Sequence, residues 1–189
     1  MLTFSLIYSA TFLEGRLEGH SALYLDETEA YARTRNVNLN FAFTIACWIK
    51  LMPSESYYRA ILRSEIQDPG FVFGVDNGNQ LHFENAVSSM HYAYTAGILQ
   101  EKQWFHVAVS FVQDTELSLF INGFKHPQTS MQGFPWQSPV SPFEIGRYVN
   151  SINTPPERYF HGYLSDLYIF GRALVSEDIG KLMGKNTVV

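Results

Sequence analysis

Asn77-Gly78 and Asn122-Gly123 each follow a short run in which apolar residues recur at every second position. Phe71, Phe73 and Val75 enter the first turn, and Leu81 and Phe83 leave it. Leu117, Leu119 and Ile121 enter the second. Asn-Gly supplies the positive φ values of tight hairpins, and a period of two puts one set of side chains on one face of a strand. The pattern recurs along the chain. Ser21 to Leu25, Ala42 to Leu51, Ala60 to Arg63, Val107 to Phe111, Phe143 to Arg147 and Tyr163 to Phe170 all read as strands. The opening MLTFSLIYSATFL lacks the basic segment and small-residue cleavage site of a signal peptide, and reads as a further strand. Pro127 to Pro142 and Asn150 to Arg158 read as loops.

One stretch near the end has a different period. Ser176 opens a helix, Glu177 and Asp178 fill its first turn, Ile179, Leu182 and Met183 share a face, and Gly184 stops it. Many short strands with one short terminal helix predict an all-β fold, a jelly-roll β-sandwich of two antiparallel sheets. At 189 residues the chain is expected to form a single domain, 1–189. The helix is expected to cover an open end of the sandwich.

The 15 Phe and 11 Tyr favour strands. The net charge of −5, without a basic stripe, gives no support for a nucleic-acid partner. No apolar run reaches the ~18 residues of a membrane span. A lone Cys47 excludes an internal disulfide, so the core must hold the fold. Cys47 is in register with Phe43, Ile45 and Ile49 and is expected to be a buried structural thiol.

The order of motifs carries more. FTIACWIK is followed by WFHVAVSF, LSLFINGF, FEIGR and FHGYLSDLYIFGRALVSEDI, with SALYLDETEAY upstream. The series resembles a laminin G-like (LamG-like) domain of the concanavalin A-like lectin/glucanase superfamily, close also to pentraxins, over about residues 19–183. Asp26-Glu27-Thr28 stands where the family has an Asp-Gly turn. The disulfide implied by pentraxins is absent, because Ala108 occupies the position of the second cysteine. The resemblance implies a non-catalytic recognition or adhesion module, extracellular or at the cell surface and part of a larger multidomain protein. Its partners would be a protein or a glycan. The alternative is a carbohydrate-binding module or a glycan-active enzyme of the glucanase type.

The glucanase motif E-x-D-x-x-E, which supplies the paired carboxylates of glycoside hydrolysis, is absent, as is G-x-S-x-G. His20, His82, His106 and His161 lack zinc-like spacing. Relatives often hold calcium at a strand rim through hard oxygen ligands. The residues matching the acidic positions are Asp26 and Asp166, which the resemblance implies lie close enough to share one Ca²⁺ ion. The other reading is a turn-capping Asp26 and an Asp166 paired with a cation such as Arg172.

Aromatic residues in polar or turn-rich surroundings are the candidates for ligand binding: Trp136, Tyr92, Tyr94 and Tyr148. Exposed rings stack on sugars and anchor protein interfaces alike. HYAY places Tyr92 and Tyr94 on one face. Trp136, between Pro135 and Pro139, is read either as an exposed recognition residue or as a plug of the sandwich rim.

Overall fold

Alternation governs nearly every element. In a computed structural model that describes residues 4–7, 10–56, 58–64, 70–86, 90–127, 135–139, 142–148 and 158–184, the chain begins with β1 (Phe4–Ile7), β2 (Thr11–Glu14), β3 (Ser21–Asp26) and β4 (Tyr31–Asn36). Then come β5 (Ala42–Leu51), β6 (Tyr58–Arg63), β7 (Gly70–Asp76), β8 (Gln80–Ala86), β9 (Met90–Ile98) and β10 (Trp104–Val112). It closes with β11 (Glu116–Ile121), β12 (Phe124–Lys125), β13 (Pro142–Ile145), β14 (Arg147–Tyr148), β15 (Arg158–Tyr159), β16 (His161–Phe170) and helix α1 (Ser176–Gly184).

Two seven-stranded sheets result. The first runs β1-β4-β13-β6-β7-β8-β9 and the second β12-β11-β10-β5-β16-β3-β2, with β14-β15 as a short ribbon. All pairings are antiparallel, as a jelly roll requires. The opening segment is two strands rather than one: β1 joins the first sheet and β2 the second. Both expected hairpins form, with Asn79, Asn122 and Gly123 at positive φ in their turns.

The core lies between the sheets. Phe43, Ile45, Cys47 and Ile49 of β5 meet Phe71, Phe73, Leu81 and Phe83 of the first sheet. The Phe43 ring is 5.0 Å from Phe111 and 6.0 Å from Phe83, within the range of favourable aromatic packing. Cys47 is fully buried, and its surroundings push the thiol pKa up, so it is an inert core residue as its register implied.

The helix does not span an open end. Ile179 and Leu182 pack on Ala46, Ala108, Phe120 and Leu174. Ala46 and Ala108 alternate with the inward residues Ile45, Cys47, Val107 and Val109, so they face outward. The helix therefore covers the outer face of the second sheet. Ala46 and Ala108 are register partners, and their small side chains leave room for it. Thr44 fixes the approach: its hydroxyl donates to the Arg172 carbonyl and accepts from the Leu174 amide, both at 2.9 Å.

Candidate functional site

The β7-β8 hairpin turns Phe71, Phe73, Leu81 and Phe83 inward. Period two then sends Val72, Gly74, His82 and Glu84 to the outer face of the first sheet. Register carries this assignment across neighbouring strands. Gly74 stands opposite His82, and His82 opposite Tyr94. A second row crosses six strands through Arg33, Glu144, Arg63, Val72, Glu84 and Tyr92.

Four tyrosines gather on this face. The Tyr58 ring lies 5.2 Å from Tyr148 and 5.2 Å from His82, and His82 lies 5.7 Å from Tyr94. Tyr92 and Tyr94 are stacked, with centroids 6.1 Å apart and planes at 21°. Tyr92 and Tyr94 come from β9, Tyr58 from β6, and Tyr148 from β14. Tyr58, Tyr92 and Tyr94 are part-exposed, whereas Tyr148 is buried beneath them. The Arg158 guanidinium sits 5.6 Å from the Tyr58 ring and 5.8 Å from the Tyr148 ring. Three of the four expected aromatic residues thus meet in one place.

Two polar groups lie within this cluster. Glu84 is 3% exposed; burial pushes its carboxyl up to about 7, with a hydrogen bond from Tyr148 opposing the shift. His82 is fully buried, burial depresses it to about 3, and neither ring nitrogen has a hydrogen-bond partner among the described residues. It is a neutral imidazole beneath the tyrosines. Sequence reasoning missed Glu84, and took His82 only as a poor zinc ligand. Their places alternate with Leu81 and Phe83, so the hairpin pattern itself held the signal.

Glu144 is the other buried carboxylate of this face, 3% exposed. Arg33, Arg63 and Arg147 reach it at 2.7, 2.9 and 3.2 Å. Burial alone pushes Glu144 up, but the arginines outweigh it and the carboxyl stays below the usual range. Glu84 and Glu144 stand three strand spacings apart in one row, which puts their backbones roughly 14 Å apart. The carboxyl pairs of glycoside hydrolases lie about 5–9.5 Å apart.

Trp136 is not exposed. It is 6% accessible and inserts among Phe43, Phe71, Phe83 and Phe111. The plug reading holds, and the reading as an exposed recognition residue is corrected: the loop turns its largest apolar ring into the gap between the sheets.

Asp26 and Asp166 do not meet either. β16 returns beside β3 as expected, but His161 is the residue opposite Asp26. Asp166 lies five residues farther along β16, roughly 17 Å away at the rise of a strand. It sits in a bulge against β5, at φ 53°. Its carboxylate accepts from the Ser165 hydroxyl at 3.0 Å, while Arg172 pairs with Asp178 at 3.4 Å. Asp26 accepts from the Thr28 amide at 3.0 Å, as a turn cap does. The pair does not fit one shared calcium ion, and no group of three or more His, Cys, Asp or Glu side chains suited to a metal occurs among the described residues.

The outer face of the second sheet also carries aromatic rings, where Trp104, Lys50 and Tyr163 stand opposite one another on β10, β5 and β16. Lys50 fills the space there, with its Nζ 4.1 Å from the Tyr163 ring and 5.4 Å from the Trp104 ring. That stack is closed by its own cation.

Sequence comparison agrees with this architecture. A laminin G-like model described as the concanavalin A-like lectin/glucanases superfamily matches residues 26–180. The chain belongs to this superfamily. No curated protein matches it in sequence. Among solved structures, this LamG-like chain is similar to domain 4 of AbnA, an extracellular arabinanase from Geobacillus stearothermophilus, determined with arabinotriose. The identity is 17% and the TM-score 0.70, over 96% of this chain and 87% of that one. It also resembles the botulinum neurotoxin serotype G binding domain, with 15% identity and a TM-score of 0.73. That match covers 96% of this chain but 46% of the toxin domain, so the LamG-like chain spans about half of its length. A heptameric SAP-like pentraxin from Limulus polyphemus is similar at 17% identity and a TM-score of 0.61, over 84% and 76% of the two chains. At these identities the likeness is one of fold. No helix among the described residues is long and apolar enough to cross a membrane.

Proposed function

We propose that this chain is a non-catalytic recognition module that binds a glycan on the outer face of its first sheet. The observation that carries the reading is the convergence of Tyr58, Tyr92 and Tyr94, all part-exposed, over the buried Tyr148 and Glu84. Aromatic faces stack on the C–H faces of sugars, and phenol hydroxyls bond to sugar hydroxyls. Rings held by a sheet also lose little freedom on binding. Two structural neighbours are consistent with this use: one was determined with arabinotriose, and a botulinum neurotoxin type C study describes ganglioside-dependent cell entry. An extracellular or cell-surface setting within a larger protein belongs to the same proposal. Calcium shared by Asp26 and Asp166 has no place in it.

Titration calorimetry against neutral and acidic oligosaccharides, following a glycan-array screen, tests the reading. Tyr94→Ala and Tyr92→Ala are expected to weaken binding at least tenfold, about 1.4 kcal/mol, with the melting temperature little changed. Binding of a protein partner with no glycan bound at any concentration, or glycan affinity unmoved by both substitutions, overturns it.

A further inference from the structure

A cavity of about 300 Å³ lies on the opposite outer face of the sandwich from the tyrosines, where the chain leaves β16 for the helix. Its floor is formed by β10 and β11, where Ser110 and Ser118 stand opposite one another, with Phe120 two residues further along β11. Its wall is the segment 173–176. Thr44, the register partner of Ser110 on β5, fixes that wall from the floor: its hydroxyl donates to the Arg172 carbonyl and accepts from the Leu174 amide. The space is therefore pre-formed, as ligand sites usually are.

The oxygens of this cavity are short of hydrogen-bond donors. Thr44 commits its one proton to the Arg172 carbonyl at 2.9 Å, so across its 3.5 Å contact with Ser110 it can only accept. Ser118 donates to Glu116 Oε1 at 2.8 Å. Neither serine oxygen then accepts a hydrogen bond among the described residues. Glu116 Oε1 also pairs with the Lys125 ammonium, while Oε2 meets no donor among the described residues. The hydrogen bonds from Lys125 and Ser118 hold the Glu116 carboxyl below its usual range, so it is ionised, and Lys125 balances its charge. These two are the charged groups lining the cavity, which thus offers three acceptor oxygens and no net charge. Apolar surface lies beside them in Val112, Phe120, Leu174 and Val175, the last 64% exposed.

We infer that this cavity is a second ligand site, separate from the tyrosine face, and that it takes one unit of a neutral sugar. Hydroxyls of the sugar donate to Ser110, Ser118 and Glu116, and its C–H face covers Val175. A hydroxyl both donates and accepts, so vicinal hydroxyls suit a carboxylate beside an ammonium. An anion would set further lone pairs against oxygens that already lack donors. A free ammonium would compete with Lys125 for Glu116. The volume is at the lower end for ligand pockets, which suits a single ring rather than a chain. A neutral ligand also makes the affinity insensitive to salt. The site does not rest on the glycan reading of the first sheet.

The test is a titration of the full nitrogen-15-labelled chain, followed by amide chemical shifts. The probes are the methyl glycosides of glucose, galactose, mannose and N-acetylglucosamine, with ethanolamine and sulfate as charged controls. Each is run in 50 and 300 mM NaCl. At least one glycoside is expected to move the amides of Ser110, Ser118 and Leu174 saturably, with an affinity that changes less than about twofold between the two salts. Ser118→Ala and Glu116→Ala, each checked by thermal melt, are expected to weaken that binding at least fivefold. Unchanged affinity in both variants overturns the site. No saturable shift at these amides with any glycoside overturns it as well; if the shifts fall instead on Tyr92 and Tyr94, the glycan reading of the first sheet stands without it. Tighter binding of ethanolamine or sulfate than of every glycoside at these amides overturns the neutral-sugar assignment.

Discussion

The indole N–H of Trp136 donates to the carbonyl of Leu39 at 3.3 Å, across 97 residues of sequence. That bond, with ring centroids 4.7 Å from Phe43 and 5.3 Å from Phe111, anchors a segment without regular structure to the core between the sheets. Replacing a buried Trp by Ala typically costs about 3–5 kcal/mol through lost burial and the cavity left behind. Trp136→Ala is expected to lower the urea midpoint accordingly. A loss under 1 kcal/mol would mean that the ring is not part of the core.

Glu144 holds together a face that would otherwise repel itself. Arg63 is the member of its arginine group most shielded from water, with a side chain 5% exposed. Removing the partner of a buried charge costs about 3–5 kcal/mol, because the remaining charge loses its compensation. Glu144→Ala should therefore destabilise strongly in denaturant titrations. Replacing Arg33, which is half exposed, should cost far less.

Asp26 and Asp166 are too far apart to act on one ion. Substitutions at distant sites add to within about 0.5 kcal/mol. The stability changes of Asp26→Ala and Asp166→Ala should therefore sum to that of the double variant, with or without 2 mM CaCl₂. A calcium-dependent coupling above 1 kcal/mol between them would contradict the arrangement along β16.

Glu84 gives stability a pH dependence of predictable sign. Its carboxyl titrates near 7 in the folded chain, against an ordinary value of 4.5. The folded state therefore holds the proton more tightly than the unfolded one. The stability it contributes is fully present below 4.5 and is lost as pH rises through about 7, on the order of 3 kcal/mol in all. His82 and His106, depressed to about 3 and about 4, act in the opposite sense, because stability falls as pH drops below 6.5 and they are forced to charge. The comparison that isolates Glu84 is wild type against Glu84→Gln. Between pH 4.5 and 7.5 the wild type should lose stability relative to the variant. A constant difference across that window would mean that Glu84 is ionised throughout.

The strands were legible in the residues themselves. Alternation placed β5 at Ala42–Leu51, and the Asn-Gly turns placed the hairpins, because side-chain direction at i and i+2 follows from backbone geometry alone. The same local rule put Tyr92 and Tyr94 on one face and, read one residue out of phase with Leu81 and Phe83, also His82 and Glu84. Ser176 to Gly184 announced its helix by its caps and period, but not the face it covers. Only the tertiary structure decided that Tyr58, Tyr148 and Arg158 join this group, since their strands meet through long-range pairing. It alone turned Trp136 inward, where the gap between two sheets has to be filled. It also separated Asp166 from Asp26, because register, which is a property of strand pairs, set His161 opposite Asp26 and left Asp166 in a bulge five residues away.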